Sequence, residues 1–206
     1  MAPPVWTLAS YAGAARELVL AFKERGAHAL AAWFGALVAA ALVAVGPPPW
    51  TLVPAPSRRS AARDRGGDHV LRIAREVEVA AVAPVLRLAA GVADSVGLGP
   101  GARRRNLEGR VEVHGPAEAF GAARARDLPG ARGPAEAFGV AEARGPGPPR
   151  AGARPGIGAA GTTVLLDDVV TTGATAAACV RALRDAGVRT HAVLVLLSAR
   201  PRGPGE

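Results

Sequence analysis

The stretch TVLLDDVVTTGAT, from Thr163 to Thr175, decides the fold class of this chain. Its apolar run, residues 164–166, is typical of a parallel strand that is covered on both faces. Two acidic residues, Asp167 and Asp168, follow that run, and a turn rich in threonine then leads into an alanine-rich segment. Open α/β sheets bind ligands at the carboxyl ends of their strands. The stretch therefore predicts an α/β protein with a central, mainly parallel sheet and a ligand site after this strand.

The turn after the acids has the composition of an anion-binding site. Gly173 permits close backbone approach and an unusual φ angle, and Thr171, Thr172 and Thr175 supply hydroxyls. The helix predicted from about Ala174 to Ala186 directs the positive end of its dipole at the turn, which favours a phosphate. Gly187 is expected to end that helix. Together with the acids, these features predict a sugar-phosphate site.

Two other interpretations of the acid pair remain open. An ordinary buried strand followed by an acidic helix cap occurs in many doubly wound proteins. A response-regulator or dehalogenase acid pair is the second alternative, although neither of those sites requires a hydroxyl-rich turn directly after the acids.

The quoted stretch resembles the phosphoribosyl pyrophosphate (PRPP) motif of type I phosphoribosyltransferases. The resemblance implies the three-layer α/β fold of that family, with a central, mainly parallel sheet. It also implies that Asp167 and Asp168 are catalytic acids that contact the 2′- and 3′-hydroxyls of the ribose. The turn would bind the 5′-phosphate through Thr171, Thr172, Gly173, Ala174 and Thr175.

Further segments narrow the resemblance to the ComF family of competence-related proteins. The chain carries YAGAAREL followed by Lys23, then LVPAPSRR with RDRGGDH, then RRRNLEG, and finally the acid block, in that order. Two features depart from the family. Cys179 is the sole cysteine, so the four-cysteine zinc module that members often carry at the N-terminus is not seen. Residues 67–69, Gly-Asp-His, stand where an aromatic residue, asparagine and glutamine are common.

The PRPP resemblance also implies a site for the pyrophosphate that leaves during transfer. Such a polyanion requires backbone N–H groups and cations, and arginine can donate two parallel hydrogen bonds to phosphate oxygens. The candidates follow the predicted strand at residues 51–56 or lie in the polar loop at residues 94–109: Ser57, Arg58, Arg59, Arg63, Arg65, Arg103, Arg104, Arg105 and Asn106. For the first of these segments, a basic solvated loop is the alternative.

The expected cofactor is Mg²⁺ that is bound with PRPP, without a direct protein ligand. It would bridge pyrophosphate and ribose oxygens and keep several waters, which could link it to Asp167 and Asp168. The four histidines do not suggest a metal set. Two of them, His28 and His191, fall in predicted apolar elements, and only His69 neighbours a proposed phosphate site.

Three functions are compatible with these features. The first is a phosphoribosyltransferase that transfers phosphoribosyl to a nucleobase-like acceptor and releases pyrophosphate. The second is a non-catalytic accessory protein of DNA uptake that binds PRPP or nucleotides together with single-stranded DNA or DNA-processing proteins. The third is a degenerate copy of such a protein. The net charge of +8 favours anionic partners, although a solvated arginine surface would also explain it.

The length of 206 residues predicts one domain, which the resemblance implies is phosphoribosyltransferase-like. The N-terminus shows no secretory signal, so a cytoplasmic protein without a membrane partner is expected. Residues 1–48 are expected to form a helical hood from two helices, residues 11–25 and 29–43. The uncharged run at 27–45 approaches the length of a membrane span, but its alanines and the prolines that follow favour a buried helix. Lys23 is the only lysine among the 25 basic residues. The sequence does not predict an oligomeric state.

The remaining elements are assigned from apolar patterns and turn residues. A helix is predicted at residues 69–80, and strands are predicted at 51–56, 83–90 and 190–199. Residues 114–161 contain GPAEAFG twice and are expected to be a disordered insertion, with docking through Phe120 and Phe138 as the alternative. The tail at residues 200–206 is expected to be loose.

Overall fold

The strand that contains the acid pair lies at the centre of a five-stranded parallel sheet. A computed structural model describes residues 1–57, 67–89, 109–114 and 161–199. The sheet has the order β1-β7-β6-β2-β3. Its strands are β1 (Val5–Ser10), β2 (Trp50–Pro54), β3 (Ala80–Val82), β6 (Thr162–Val170) and β7 (Ala192–Ser198). The predicted α/β class with a mainly parallel central sheet is confirmed.

Four helices and a small antiparallel pair of strands complete the described part of the fold. The helices are α1 (Gly13–Glu24), α2 (Leu30–Val45), α3 (His69–Arg75) and α4 (Ala174–Asp185). The pair consists of β4 (Leu86–Leu88) and β5 (Val111–Val113).

Helices cover both faces of the sheet. Successive side chains of a strand point to opposite faces, so the apolar residues of β6 need a covering layer on each side. On one face, Leu166 of β6 packs in a buried cluster with Phe22 of α1, Phe34 of α2 and Ile73 of α3. On the other face, Leu165 packs with Cys179 and the rest of α4. The continuous apolar run of β6 therefore contributes to two cores, as expected for a strand that is buried on both sides.

The N-terminal segment differs from its predicted purely helical form. Residues 5–10 form β1, which pairs in parallel with β7 at the edge of the sheet. Two helices follow as predicted, and α2 buries Phe34, Val38 and Leu42 in the core under the sheet. No helix in the described ranges is long and apolar enough to cross a membrane.

Three other predicted elements have different bounds. The helix predicted at residues 69–80 ends at Arg75, and the chain then forms β3 from Ala80. The strand predicted at residues 83–90 is the short β4, which pairs with β5 outside the central sheet. The strand predicted to end at Leu166 continues through both aspartates to Val170. Residues 115–160 of the insertion proposed at 114–161, and the tail at 200–206, lie outside the described residues.

Candidate functional site

The candidate site lies at the carboxyl edge of the sheet, where β2 and β6 end side by side. The two strands pair in parallel, with Pro54 opposite Leu166, so the residues that follow them emerge next to each other. Ser57 comes from the β2 side, and the aspartates and the threonine turn come from β6. Helix α3 begins at His69 beside the same edge, because the Asp68 carboxylate binds the N–H of Ser57 as well as the first turn of α3.

Asp168 is buried and lies at the centre of a polar cluster. Its Oδ2 atom accepts hydrogen bonds from Lys23 Nζ of α1 and from His69 Nε2 of α3, each at 2.7 Å. Its Oδ1 atom accepts the backbone N–H of Val169, also at 2.7 Å. The side chains of Asp168 and His69 are each 10% exposed, and that of Lys23 is 30% exposed. Lys23 therefore lies between the buried carboxylate and solvent.

The partners of Asp168 determine its charge. Burial alone would raise the pKa of this carboxyl, but the hydrogen bond from His69 and the positive charge of Lys23 outweigh that effect. The pKa of Asp168 is consequently well below its ordinary value, and the group is ionised. An ionised carboxylate only accepts hydrogen bonds, so His69 Nε2 carries the proton. The other ring nitrogen, Nδ1, lies 3.5 Å from the hydroxyl of Ser57.

Asp167 has a different environment from its neighbour. Strand alternation directs its side chain toward the face covered by α4, whereas Asp168 points toward α1 and α3. Burial raises the pKa of Asp167 well above its ordinary value, and repulsion by the Asp168 charge adds to the shift. Its Oδ1 atom accepts the backbone N–H of Asp168 at 2.9 Å. Asp168 is buried on the side of α1 and α3, whereas Asp167 is half-buried on the side of α4.

Asp68 fixes the start of α3, and with it the position of His69. Its side chain accepts the backbone N–H groups of Val70 and Leu71, as an N-cap residue does, and also that of Ser57 at 2.9 Å. An asparagine could provide the cap through its oxygen, but its NH₂ group could not accept the Ser57 N–H. The aspartate at this position therefore joins the end of β2 to α3.

The predicted turn and helix after β6 are confirmed. Residues 171–173 form the turn, and α4 begins at Ala174. Gly173 has a φ angle of +77°, in the left-handed region that favours glycine. The hydroxyl of Thr172 accepts the N–H of Ala174 at 3.3 Å. Gly187, also at φ +77°, follows the last turn of α4.

Most of the candidate pyrophosphate residues cannot be placed. Ser57 is half-buried beside His69, in the cluster around Asp168. The other eight candidates lie outside the described residues: Arg58, Arg59, Arg63, Arg65, Arg103, Arg104, Arg105 and Asn106. Among the described side chains, the cation that contacts the acid pair is Lys23.

The sequence predicts no site role for Lys23, which is a motif position and the sole lysine. It predicts His69 only as a neighbour of a phosphate site. Both residues contact Asp168 although they are 145 and 99 positions away in the chain. Of the other two histidines in predicted apolar elements, His191 accepts the backbone N–H of Thr163. Its role is to connect the loop before β7 to β6.

Within the described ranges, no three His, Cys, Asp or Glu side chains come close enough together to hold a metal ion. Burial raises the pKa of the Cys179 thiol well above its ordinary value, and the charge of Asp167 adds to the shift. A buried, protonated thiol is a packing residue and neither a nucleophile nor a ligand.

The amino-acid sequence matches no protein-family model, and a search of the curated proteins finds no match to it.

Proposed function

We propose that this protein binds PRPP at the carboxyl edge of its sheet, in the manner of a type I phosphoribosyltransferase of the ComF kind. One observation carries the proposal. The acid pair, the left-handed turn at Gly173 and the N-terminus of α4 follow one another without interruption at the end of the central strand. The α/β architecture, with helices on both faces of the sheet, supports the three-layer fold of that family.

The proposed ligand has two charged ends, and the site has a feature for each. The 5′-phosphate would lie in the turn at residues 171–175, where backbone N–H groups and the helix dipole favour an anion. The ribose hydroxyls would lie near Asp167 and Asp168. The pyrophosphate would extend toward the end of β2, where Ser57 precedes the arginines of the 58–65 segment. Mg²⁺ would accompany PRPP and neutralise part of the pyrophosphate charge.

If the protein is an enzyme, a nitrogen of a nucleobase-like acceptor attacks C1 of the ribose. The bond between C1 and the pyrophosphate oxygen breaks, and that oxygen retains the bonding electrons. Positive charge develops on the sugar, and the carboxylates of the site stabilise it electrostatically. The arginines that follow β2 in the sequence are the candidates to stabilise the leaving group.

Thermal unfolding in the presence of PRPP tests the site. A ligand at 100 times its Kd adds about 2.7 kcal/mol to the free energy of unfolding, which raises Tm by about 5–10 °C for a chain of this size. We expect this rise with millimolar PRPP and Mg²⁺, and we expect Asp167→Asn/Asp168→Asn to abolish it. Absence of any rise in the wild-type protein would refute the proposal.

Gly173 and Gly187 provide a matched pair of variants, because both have a φ angle of +77°. An alanine at either position strains the backbone by about 1–2 kcal/mol, so Gly173→Ala and Gly187→Ala should lower stability to a similar extent. Only Gly173→Ala should weaken PRPP binding in isothermal titration, since only Gly173 lies in the proposed phosphate turn. Equal affinities in the two variants would contradict a phosphate site at the turn.

The same site would serve a competence accessory protein that binds PRPP or nucleotides without turnover. Pyrophosphate release from PRPP, measured across a panel of nucleobases, separates the two functions. Release with one base identifies an enzyme and its acceptor. Binding of PRPP without release, together with salt-dependent binding of single-stranded DNA, would favour the accessory function.

A further inference from the structure

We propose that Lys23 is a ligand-binding residue that neutralises Asp168 in the free protein and is shared between Asp168 and the anionic ligand in the complex. The inference extends the proposed function, since it assigns a cation to the same site. It is based on the position of Lys23, on the charge of the site and on the use of lysine in this chain.

The position of Lys23 places its ammonium where a ligand would approach Asp168. One oxygen of that carboxylate is bound by Lys23 and His69, and the other by the backbone N–H of Val169. The His69 side chain is 10% exposed, whereas that of Lys23 is 30% exposed. Of the two side chains bound to Asp168, Lys23 is therefore the more accessible to a molecule from solvent.

Electrostatics favours a cation beside the acidic residues if the ligand is an anion. Asp167 and Asp168 are adjacent, and Asp68 at the start of α3 binds the N–H of Ser57 after the end of β2. Without a compensating charge, these carboxylates would repel a sugar phosphate. Lys23 compensates the charge of Asp168, the most buried of the three aspartates. An ammonium has three donors, so Lys23 can bind Asp168 and an oxygen of the ligand at the same time.

The composition of the chain makes the presence of a lysine at position 23 informative. The chain has 25 basic residues, and Lys23 is the only one that is not an arginine. A codon preference for arginine over lysine would apply to position 23 as it does to every other basic position. A compact ammonium can approach a carboxylate oxygen that a histidine already binds, whereas a planar guanidinium favours two parallel bonds to a whole carboxylate. The shared Oδ2 atom of Asp168 thus favours the smaller cation.

The sole lysine can be followed chemically. Reductive methylation, read by mass spectrometry, modifies Lys23 and the N-terminal amine of Met1, which is fully exposed and serves as the internal reference. We expect PRPP with Mg²⁺ to slow methylation of Lys23 by about fivefold or more and to leave the N-terminal amine unaffected. Ribose 5-phosphate and inorganic pyrophosphate, tested separately, show which end of the ligand protects it.

Affinity measurements with variants complete the test. Lys23→Met should raise the Kd for PRPP about tenfold or more, since a charge-assisted hydrogen bond is lost. Lys23→Arg should restore part of the affinity. Arg25→Met is the control, because it removes a positive charge two residues away, and the Arg25 guanidinium pairs with Glu17 at 3.2 Å. Circular dichroism and Tm identify any variant that fails to fold.

The outcomes separate this inference from the proposed function. If PRPP stabilises the wild-type protein but neither slows methylation of Lys23 nor binds Lys23→Met less tightly, the lysine assignment is wrong and the PRPP site stands. If PRPP does not stabilise the protein, the proposed function is wrong. In that case, lack of protection by ribose 5-phosphate and by pyrophosphate overturns the lysine assignment as well.

Discussion

Asp168→Asn is expected to lower the free energy of unfolding at pH 7 by about 2–3 kcal/mol, whereas Asp167→Asn should raise it by up to about 1 kcal/mol. The two residues are neighbours in β6, yet their environments have opposite effects on the charged form. Asp168 binds Lys23 and His69 at 2.7 Å. Asp167 is held at raised pKa by burial and by the charge of Asp168. An asparagine removes a favourable charge from one position and an unfavourable charge from the other.

The pH dependence of stability provides an independent check of the signs. The pKa of Asp168 is lower in the folded protein, so its contribution is complete above the unfolded-state value of about 3.9 and is lost as the pH falls below it. The pKa of Asp167 is raised, so its ionisation destabilises the fold above its folded pKa, and this effect disappears as the pH falls. Asp168→Asn should therefore flatten the acid limb of the stability curve. Asp167→Asn should remove the loss of stability that occurs as the pH rises from about 3.9 to the folded pKa of Asp167.

Urea denaturation of both variants between pH 3 and pH 8 measures these effects. Asp185→Asn is the control, because Asp185 pairs with Arg184 at the surface with 68% of its side chain exposed. A surface pair of that kind contributes less than about 1 kcal/mol. Shifts of the same sign for Asp167→Asn and Asp168→Asn would contradict the different environments of the two carboxylates.

Gly35→Ala is expected to lower the free energy of unfolding by about 2 kcal/mol. Gly35 lies in α2 where that helix meets the end of α3, and a methyl group there would lie 2.6 Å from Cβ of Glu76 and 3.2 Å from its carbonyl carbon and oxygen. These atoms cannot rotate away as the end of a side chain could. The expected loss exceeds the gain of about 1 kcal/mol that alanine normally brings to a helix.

Two further variants isolate the steric cause. Ala36→Gly, at the exposed neighbouring position of α2, measures the helix-propensity effect alone. Glu76→Gly removes the Cβ atom that an alanine at position 35 would meet, so the double variant should recover part of the stability lost in Gly35→Ala. Additive effects in the double variant would contradict the predicted contact. Because α3 carries His69, Gly35→Ala should also weaken PRPP binding.

The central strand shows which structural features a local sequence pattern can predict. The apolar run at residues 164–166, with a glycine turn and a helix after it, indicates a parallel strand and a helix start because these features depend on neighbouring residues. The structure confirms the helix from Ala174 and the parallel sheet. The sequence analysis does not predict β1, whose partner strand β7 lies near the other end of the chain.

The sequence by itself determined the α/β fold class of this protein. It also determined the order of the strand, the two aspartates, the turn and the helix, and the candidate residues in these elements. Only the tertiary structure decided what surrounds the acids. The alternating directions of a strand separate Asp167 from Asp168, and the packing of α1 and α3 brings Lys23 and His69 to one carboxylate oxygen. Contacts of this kind join residues about a hundred or more positions apart. They depend on how helices pack on a sheet, which local patterns along a chain do not record.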